Sequence, residues 1–219
     1  MLVGLIPAAG HATRLALRAG SKEMLRIRGR PVMDHLVARL RAARVDELRV
    51  ITRPEKEDLV RHCARLGAVV VPGHPIDVAA SLKLGLAGLQ DHDEVLFGFP
   101  DTLWEPENGF VPVLAALRGG ARVALGLFET PDLQRSDVVA FGADGEIAGI
   151  EVKPAVPPSD VIWGIAAAHA GTLAGLQEGT EPGVYFGRLA EGGGVVGVRL
   201  SSEWIDVGTP ESLSRARAW

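Results

Sequence analysis

The sequence predicts an α/β fold, a mostly parallel sheet flanked by helices with a small strand-rich second lobe. Three observations carry this reading. Short apolar, β-rich runs at residues 2–7, 48–52, 68–72 and 95–99 recur through the first half. Segments with apolar residues at helical spacing lie between them. Past residue 130 the β-rich runs follow one another more closely. Apolar runs buried on both faces and separated by helices make βαβ units. Right-handed crossovers then leave the carboxyl ends of the strands as the edge where ligands bind.

The elements follow in order. The first run, LVGLIP, opens into a segment of small residues. Pro31 opens a helix with Val32, Leu36 and Leu40 on one stripe and Met33 and Val37 beside it. Pro54 opens a second, with Glu55, Glu57 and Asp58 in its first turn and Gly67 just past its end, a matched pair of start and stop signals. Cys63 sits on the apolar stripe of that helix and is expected in the core. Asp77 caps a third helix that carries Val78, Leu82, Leu86 and Leu89. In the second half, residues 138–141 and 146–153 flank Gly142-Ala143-Asp144-Gly145 as a hairpin, and further strands are expected at 161–169, 195–200 and 203–207. The proline-rich stretch 154–158 is too short for a linker, so residues 1–219 read as a single domain.

Composition narrows the function. Hydrophobic residues make up 47% of the 219 and charged residues 23%, which supplies a core and excludes disorder. The net charge of -4 argues against a general nucleic-acid binder, which needs a basic face. No apolar run reaches the roughly 18 residues of a membrane span. The N-terminus lacks a basic region and reads as a strand rather than a signal peptide. The lone cysteine cannot form an internal disulfide. A soluble cytoplasmic protein is expected, and nothing in the pattern sets an oligomeric state. Only four of the 23 basic residues are lysines, Lys22, Lys56, Lys83 and Lys153. A compact ammonium differs from the arginine fork at a phosphate site, so these positions draw notice.

Four segments could carry chemistry. After the first strand comes PAAGHATRL, where Ala8, Ala9, Gly10 and Ala12 would let backbone N–H groups approach an anion. A tight turn packed for steric reasons would look the same. Arg14 and Lys22 bring positive charge to that edge. Asp101, in FPDT, stands just past the fourth strand, and Asp206, in WIDVGTPE, ends a late one. Two carboxylates from separate strand ends can converge on Mg²⁺, although a turn aspartate and an exposed strand end would each account for one alone. Lys153, in EVKP, ends a strand before a proline. Gly192, Gly194 and Gly197 spell G-x-G-x-x-G, but a strand follows them where a dinucleotide site needs a helix, so they read as a flexible turn.

Together these segments resemble the nucleotidyltransferases that make nucleotide sugars from a sugar 1-phosphate and a nucleoside triphosphate, of the glucose-1-phosphate thymidylyltransferase and uridylyltransferase type. PAAGHATRL and SKEML resemble the family's glycine-rich signature and its P-K-E-M-L, FPDT its metal-binding aspartate strand, EVKP its sugar-phosphate lysine, and WIDVGTPESL its second metal-binding segment. The resemblance runs from Leu2 to about Leu213 in the family's order. It implies a Rossmann-like sheet, a nucleotide-binding half over about 1–130 and an acceptor-binding half with the second metal ligand over about 131–219. It also implies roles. Ala8, Ala9, Gly10 and Thr13 would hold the triphosphate and nucleoside, and Arg14 and Lys22 would contact phosphates. Asp101 and Asp206 would bind the cofactor Mg²⁺. Lys153 would hold the acceptor phosphate, and Gly164 matches the glycine of the sugar-side strand. Ser81 and Gly85 fit the S-x-x-x-G-L segment of cytidylyltransferases.

The chain departs from the family at four places. Ser21 replaces the proline before the lysine, Val152 a sugar-contacting glutamate, and Ala80 a pyrimidine-reading glutamine, while Asp137 stands near a usual glycine. The expected activity is Mg²⁺-dependent transfer of a nucleotide to a sugar 1-phosphate with release of pyrophosphate. The expected partners are a nucleoside triphosphate and a phosphorylated small molecule, with no nucleic acid and no membrane. Two alternatives stand beside it: nucleotidyl transfer, cytidylyl included, to a non-sugar phosphate or cofactor, and a non-catalytic nucleotide-sugar sensor. All four of Lys22, Asp101, Lys153 and Asp206 are present, which a silent copy would have been free to lose.

Overall fold

The computed structural model describes residues 1–11, 20–201 and 203–219. The chain begins with β1 (Leu2–Pro7), then makes a 3-10 turn at Lys22–Met24 and a small hairpin of β2 (Arg26–Ile27) and β3 (Arg30–Pro31). Next come α1 (Val32–Ala42), β4 (Glu47–Thr52), α2 (Glu57–Leu66), β5 (Val69–Pro72), α3 (Val78–Gly85), β6 (Glu94–Gly98) and β7 (Thr102–Trp104). The second half contains α4 (Phe110–Arg118), β8 (Val123–Glu129), β9 (Asp137–Phe141), β10 (Ile147–Val152), β11 (Val161–His169) and α5 (Ala170–Leu173). It ends with α6 (Pro182–Glu191), β12 (Val195–Ser201), β13 (Trp204–Asp206) and α7 (Pro210–Ala218).

One sheet organises the molecule, in the order β10-β9-β11-β6-β1-β4-β5, with β8 on β11 and β12 on β8. Its centre is parallel: β6, β1, β4 and β5 all run the same way. In β1, Leu2 and Ile6 join one core cluster while Val3 and Leu5 join the other. That period of two buries both faces, which is why the run is apolar throughout. Each fully buried Leu or Ile contributes about 1.5–3 kcal/mol.

The strand-rich second half is built on the same sheet. β11 is antiparallel to β6, with Ile165 opposite Gly98 and His169 opposite Glu94, so its first residues lie level with the carboxyl end of β6. The β9–β10 hairpin is anchored there through the pair Ile162 and Val138. The cleft edge therefore gathers residues from both halves of the chain.

Helix boundaries match the sequence signals with two shifts. α2 starts at Glu57, three residues after Pro54, because residues 54 and 55 form a turn first; it ends on Gly67, whose φ of 68° is the left-handed cap. α3 stops at Gly85, short of Leu86 and Leu89. Turns follow, with Gly88 at a φ of 79°, yet both leucines still pack on the core. Cys63 is buried. Gly192, Gly193 and Gly194 make the turn between α6 and β12. Among the described residues, no helix is long and apolar enough to cross a membrane.

Candidate active site

A cleft of about 650 Å³ opens at the carboxyl edge of the parallel strands. Of the residues singled out from the sequence, Ala9, Gly10, Lys22, Ser81, Asp101, Lys153 and Asp206 line it. Thr13 and Arg14 lie outside the described residues. Ala8, Gly85 and Gly164 are not among the lining residues, and packing accounts for each. Ala8 is buried and donates its N–H to the Ile51 carbonyl at 2.8 Å. A Cβ on Gly85 would fall 2.9 Å from Ile51, so its small size seats α3 on the sheet. A Cβ on Gly164 would fall 2.2 Å from the Trp204 ring. That glycine is the floor on which Trp204, and with it β13, rests.

The loop after β1 is held through its carbonyls. Lys56 Nζ donates to the Ala8 carbonyl at 2.8 Å, and Arg53 Nε donates to the Ala9 carbonyl at 2.8 Å. Two cations at the head of α2 thus take up the loop carbonyls, Arg53 from a position that itself lines the cleft. Gly10 is exposed with open space where a Cβ would project.

Ser21 shows why the serine is useful here. Its N–H donates to Asp58 at 2.9 Å and its hydroxyl to the same carboxylate at 2.7 Å. A proline could make neither bond. Glu23, two residues on, is wholly buried and pairs through both oxygens with Lys56 at 2.8 and 3.0 Å. Burial pushes its carboxyl above the ordinary range, with Lys56 pulling the other way.

Lys22, between these two anchors, pairs with Asp101 Oδ2. Burial by itself would lower the Lys22 pKa; Asp101, Glu23 and Asp206 outweigh it, and the ammonium is held above its ordinary value. Asp101 sits in the turn between β6 and β7. Asp206 reaches it by pairing: β13 runs antiparallel to β7 with Asp206 opposite Thr102, and Val207 N–H bonds the Asp101 carbonyl at 2.8 Å. Two carboxylates remote in sequence are neighbours through one ladder. Their hard oxygen donors fit Mg²⁺, which typically takes one or two carboxylates and leaves its other positions to water and phosphate. Among the described residues no group of three or more His, Cys, Asp or Glu is placed to hold a metal.

The other end of the cleft belongs to the second half. Lys153 has a φ of 47°, its N–H bonds the Ser136 carbonyl at 3.0 Å, and its Nζ pairs with Glu181 at 2.6 Å. Arg135, Asp137 and Trp163 line the same end. On the opposite wall Asp77 caps α3 by accepting the Ala80 N–H at 2.7 Å, and it also accepts the N–H of Gly179. Arg53 and Glu181 escaped the sequence reading and stand in no motif that marks them; Lys56 was noted only as a rare lysine, and Asp77 only as the cap of its helix, which the structure bears out.

The fold and the cleft define an α/β protein with its ligand site at the carboxyl ends of parallel strands. Residues 4–129 match the MobA-like NTP transferase domain, and the chain belongs to that family. It is similar to the bifunctional protein GlmU of Azorhizobium caulinodans, 30% identical over 161 residues that cover 71% of this chain and 36% of that protein. It is similar to GlmU of Xanthobacter autotrophicus too, 28% identical over 181 residues, 77% of this chain and 40% of the other. The chain thus spans well under half the length of these relatives. Among solved structures, one assigned as a glucose-1-phosphate thymidylyltransferase of Bacillus anthracis, in complex with a sucrose, superposes with a TM-score of 0.89 at 21% identity, covering 100% of this chain and 94% of that one. A UDP-glucose pyrophosphorylase of Acinetobacter baumanii superposes with a TM-score of 0.81 at 16% identity, covering 98% and 91%. These two share the fold.

Proposed function

We propose that the chain transfers a nucleotidyl group from a nucleoside triphosphate to a sugar 1-phosphate. An oxygen of the acceptor phosphate attacks the α-phosphorus in line, a new P–O bond forms, the bond to the bridging oxygen of the β-phosphate breaks, and pyrophosphate leaves. No protein nucleophile takes part. The observation that supports this reading best is the division of the cleft: Lys22 in the 3-10 turn, Asp101 just past β6 and Asp206 ending β13 on one side, and Lys153 just past β10 on the other.

Positioning and charge neutralisation carry most of the work in such a transfer. Ala9 and Gly10 offer backbone to the triphosphate, with the loop carbonyls engaged by Arg53 and Lys56. Lys22 supplies a permanent positive charge to the donor and the departing pyrophosphate. Lys153 exchanges Glu181 for the acceptor phosphate. Asp101 and Asp206 would hold Mg²⁺, which when bound offsets the charge that develops at the α-phosphate. The test is a screen for pyrophosphate release, with the four common nucleoside triphosphates against sugar 1-phosphates, polyol phosphates and phosphorylated alcohols, with and without Mg²⁺. Release that depends on a sugar 1-phosphate supports the proposal; release with non-sugar acceptors alone would replace it.

A further inference from the structure

At the acceptor end of the cleft one carboxylate is not accounted for by the transfer chemistry. Asp137, the first residue of β9, lines the cavity beside Lys153, Trp163 and Glu181. Its Oδ2 packs against the backbone of Gly183, at the start of α6, where a Cβ would come within 2.3 Å. The Trp163 indole N–H is buried, the side chain only 4% exposed, and it is directed at the Asp137 carboxylate, which the Gly183 N–H also approaches. A buried donor and a half-buried carboxylate that keeps open acceptor sites thus stand together at the cavity wall. Such groups are costly unless something completes their hydrogen bonding.

The ladder adds a second, independent observation. In the β9–β10 hairpin Asp137 stands directly opposite Val152, the residue before Lys153. Directly opposed residues of an antiparallel pair share one face, with Cβ atoms about 5 Å apart. Val152 is apolar and is not among the residues that line the cavity; its cross-strand neighbour is the carboxylate that does.

We propose that Asp137 is a specificity-determining residue, accepting a hydrogen bond from a hydroxyl group on the body of the phosphorylated acceptor while Lys153 holds its phosphate. This rests on the nucleotidyltransferase reading and names what its acceptor must carry. Charge agrees with it. Burial and the neighbouring Glu181 push the Asp137 carboxyl up to about 6, with Lys153, Trp163 and the Gly183 N–H pulling it down, so the donors already present fall short of offsetting its burial. Once a phosphate draws Lys153 away from Glu181 that shortage deepens, and a hydroxyl on the same molecule meets it.

The experiment measures equilibrium binding, which needs no turnover. Glucose 1-phosphate and glycerol 3-phosphate carry donor hydroxyls; phosphocholine and inorganic phosphate are the controls. The parent protein should prefer the hydroxyl-bearing pair. Asp137→Ala should weaken that pair by about tenfold and leave both controls unmoved. Asp137→Asn, which keeps the shape, guards against a folding defect and should fall between. Adding Val152→Glu to Asp137→Ala should restore the preference from across the ladder. An equal loss for all four probes, no loss, no preference in the parent, or a double variant as weak as the single one overturns the proposal. Pyrophosphate release is followed in parallel. Transfer that persists while binding ignores Asp137 sinks this inference alone, and selective binding without any transfer sinks the functional reading instead.

Discussion

Val207 donates its N–H to the Asp101 carbonyl at 2.8 Å, so the residue after one cleft carboxylate is tied to the residue that bears the other. The tie is made in the backbone and does not depend on either side chain. Asp101→Asn and Asp206→Asn should therefore keep the fold. Each should lower kcat by about a hundredfold or more, the scale of losing one preorganised charge at a reacting phosphate. Rates over a Mg²⁺ titration check this, with circular dichroism as the folding control. Parental rates in either variant, or after chelation, would rule out the carboxylates as a metal pair.

The two cleft lysines should separate by substrate. Lys22→Ala should reduce kcat and raise the KM for the nucleoside triphosphate, while Lys153→Ala should raise the KM for the acceptor. Lys153→Arg should not restore full activity, because a planar fork presents its charge differently. The Lys22 ammonium is held above its ordinary 10.5, so its ion pair is complete below that pH and is lost only as pH rises beyond it. Donor binding should show no lysine titration across the neutral range. Alanine variants that both weaken the same substrate would remove the division of roles.

Lys56 and Glu23 form a buried pair whose separation is expensive. Lys56→Met leaves a wholly buried carboxylate without its paired ammonium and should cost about 3 kcal/mol, whereas Lys56→Met combined with Glu23→Leu should recover much of it. Urea unfolding of the parent, the singles and the double variant closes the cycle. A single variant as stable as the parent is the outcome that would dissolve the pair's importance.

His35 gives the molecule an acid weakness. Burial first, then Arg30, lowers its pKa from 6.5 to about 4. The unfolded chain takes up the proton near 6.5 and the folded one only near 4. Stability is therefore unaffected above pH 6.5 and falls as pH drops through that window, by about 3 kcal/mol at its foot. His35→Gln should lose correspondingly less between pH 7 and 4.5 in thermal melts. Identical pH dependence in both proteins would count against a neutral buried imidazole.

The parallel centre was legible in the sequence because β1 and β6 bury both faces and read as apolar runs, while β4 and the edge strand β5 keep short apolar runs although β5 has no fully buried residue. β8 is as apolar a run as β1, VALGLF, buried along its length, and was passed over; α4 opens after Gly109 with no capping side chain to mark its start. Lys22, Asp101, Lys153 and Asp206 were legible because each sits in a segment of its own. Gly164 was read as the glycine of the sugar-side strand; that the space it leaves is filled by Trp204 is a packing relation between residues that no local pattern connects. The partnership of Lys56 with Glu23 was hidden for the same reason.

Ser21 carries a last consequence. A proline stiffens the chain ahead of the lysine through its ring, indifferent to solvent. Ser21 does so through two bonds to one carboxylate, so rigidity in this segment is conditional on the ionisation of Asp58. Burial raises the Asp58 pKa, but the bonds from Ser21 and Leu59 more than reverse that and leave it below its ordinary 3.8. The support is thus present from neutral pH down past the usual carboxylate range and is lost only as pH falls through that depressed value. What is a fixed mechanical property in a proline-bearing chain is, in this one, a solution-dependent joint that anything competing for Asp58 could loosen.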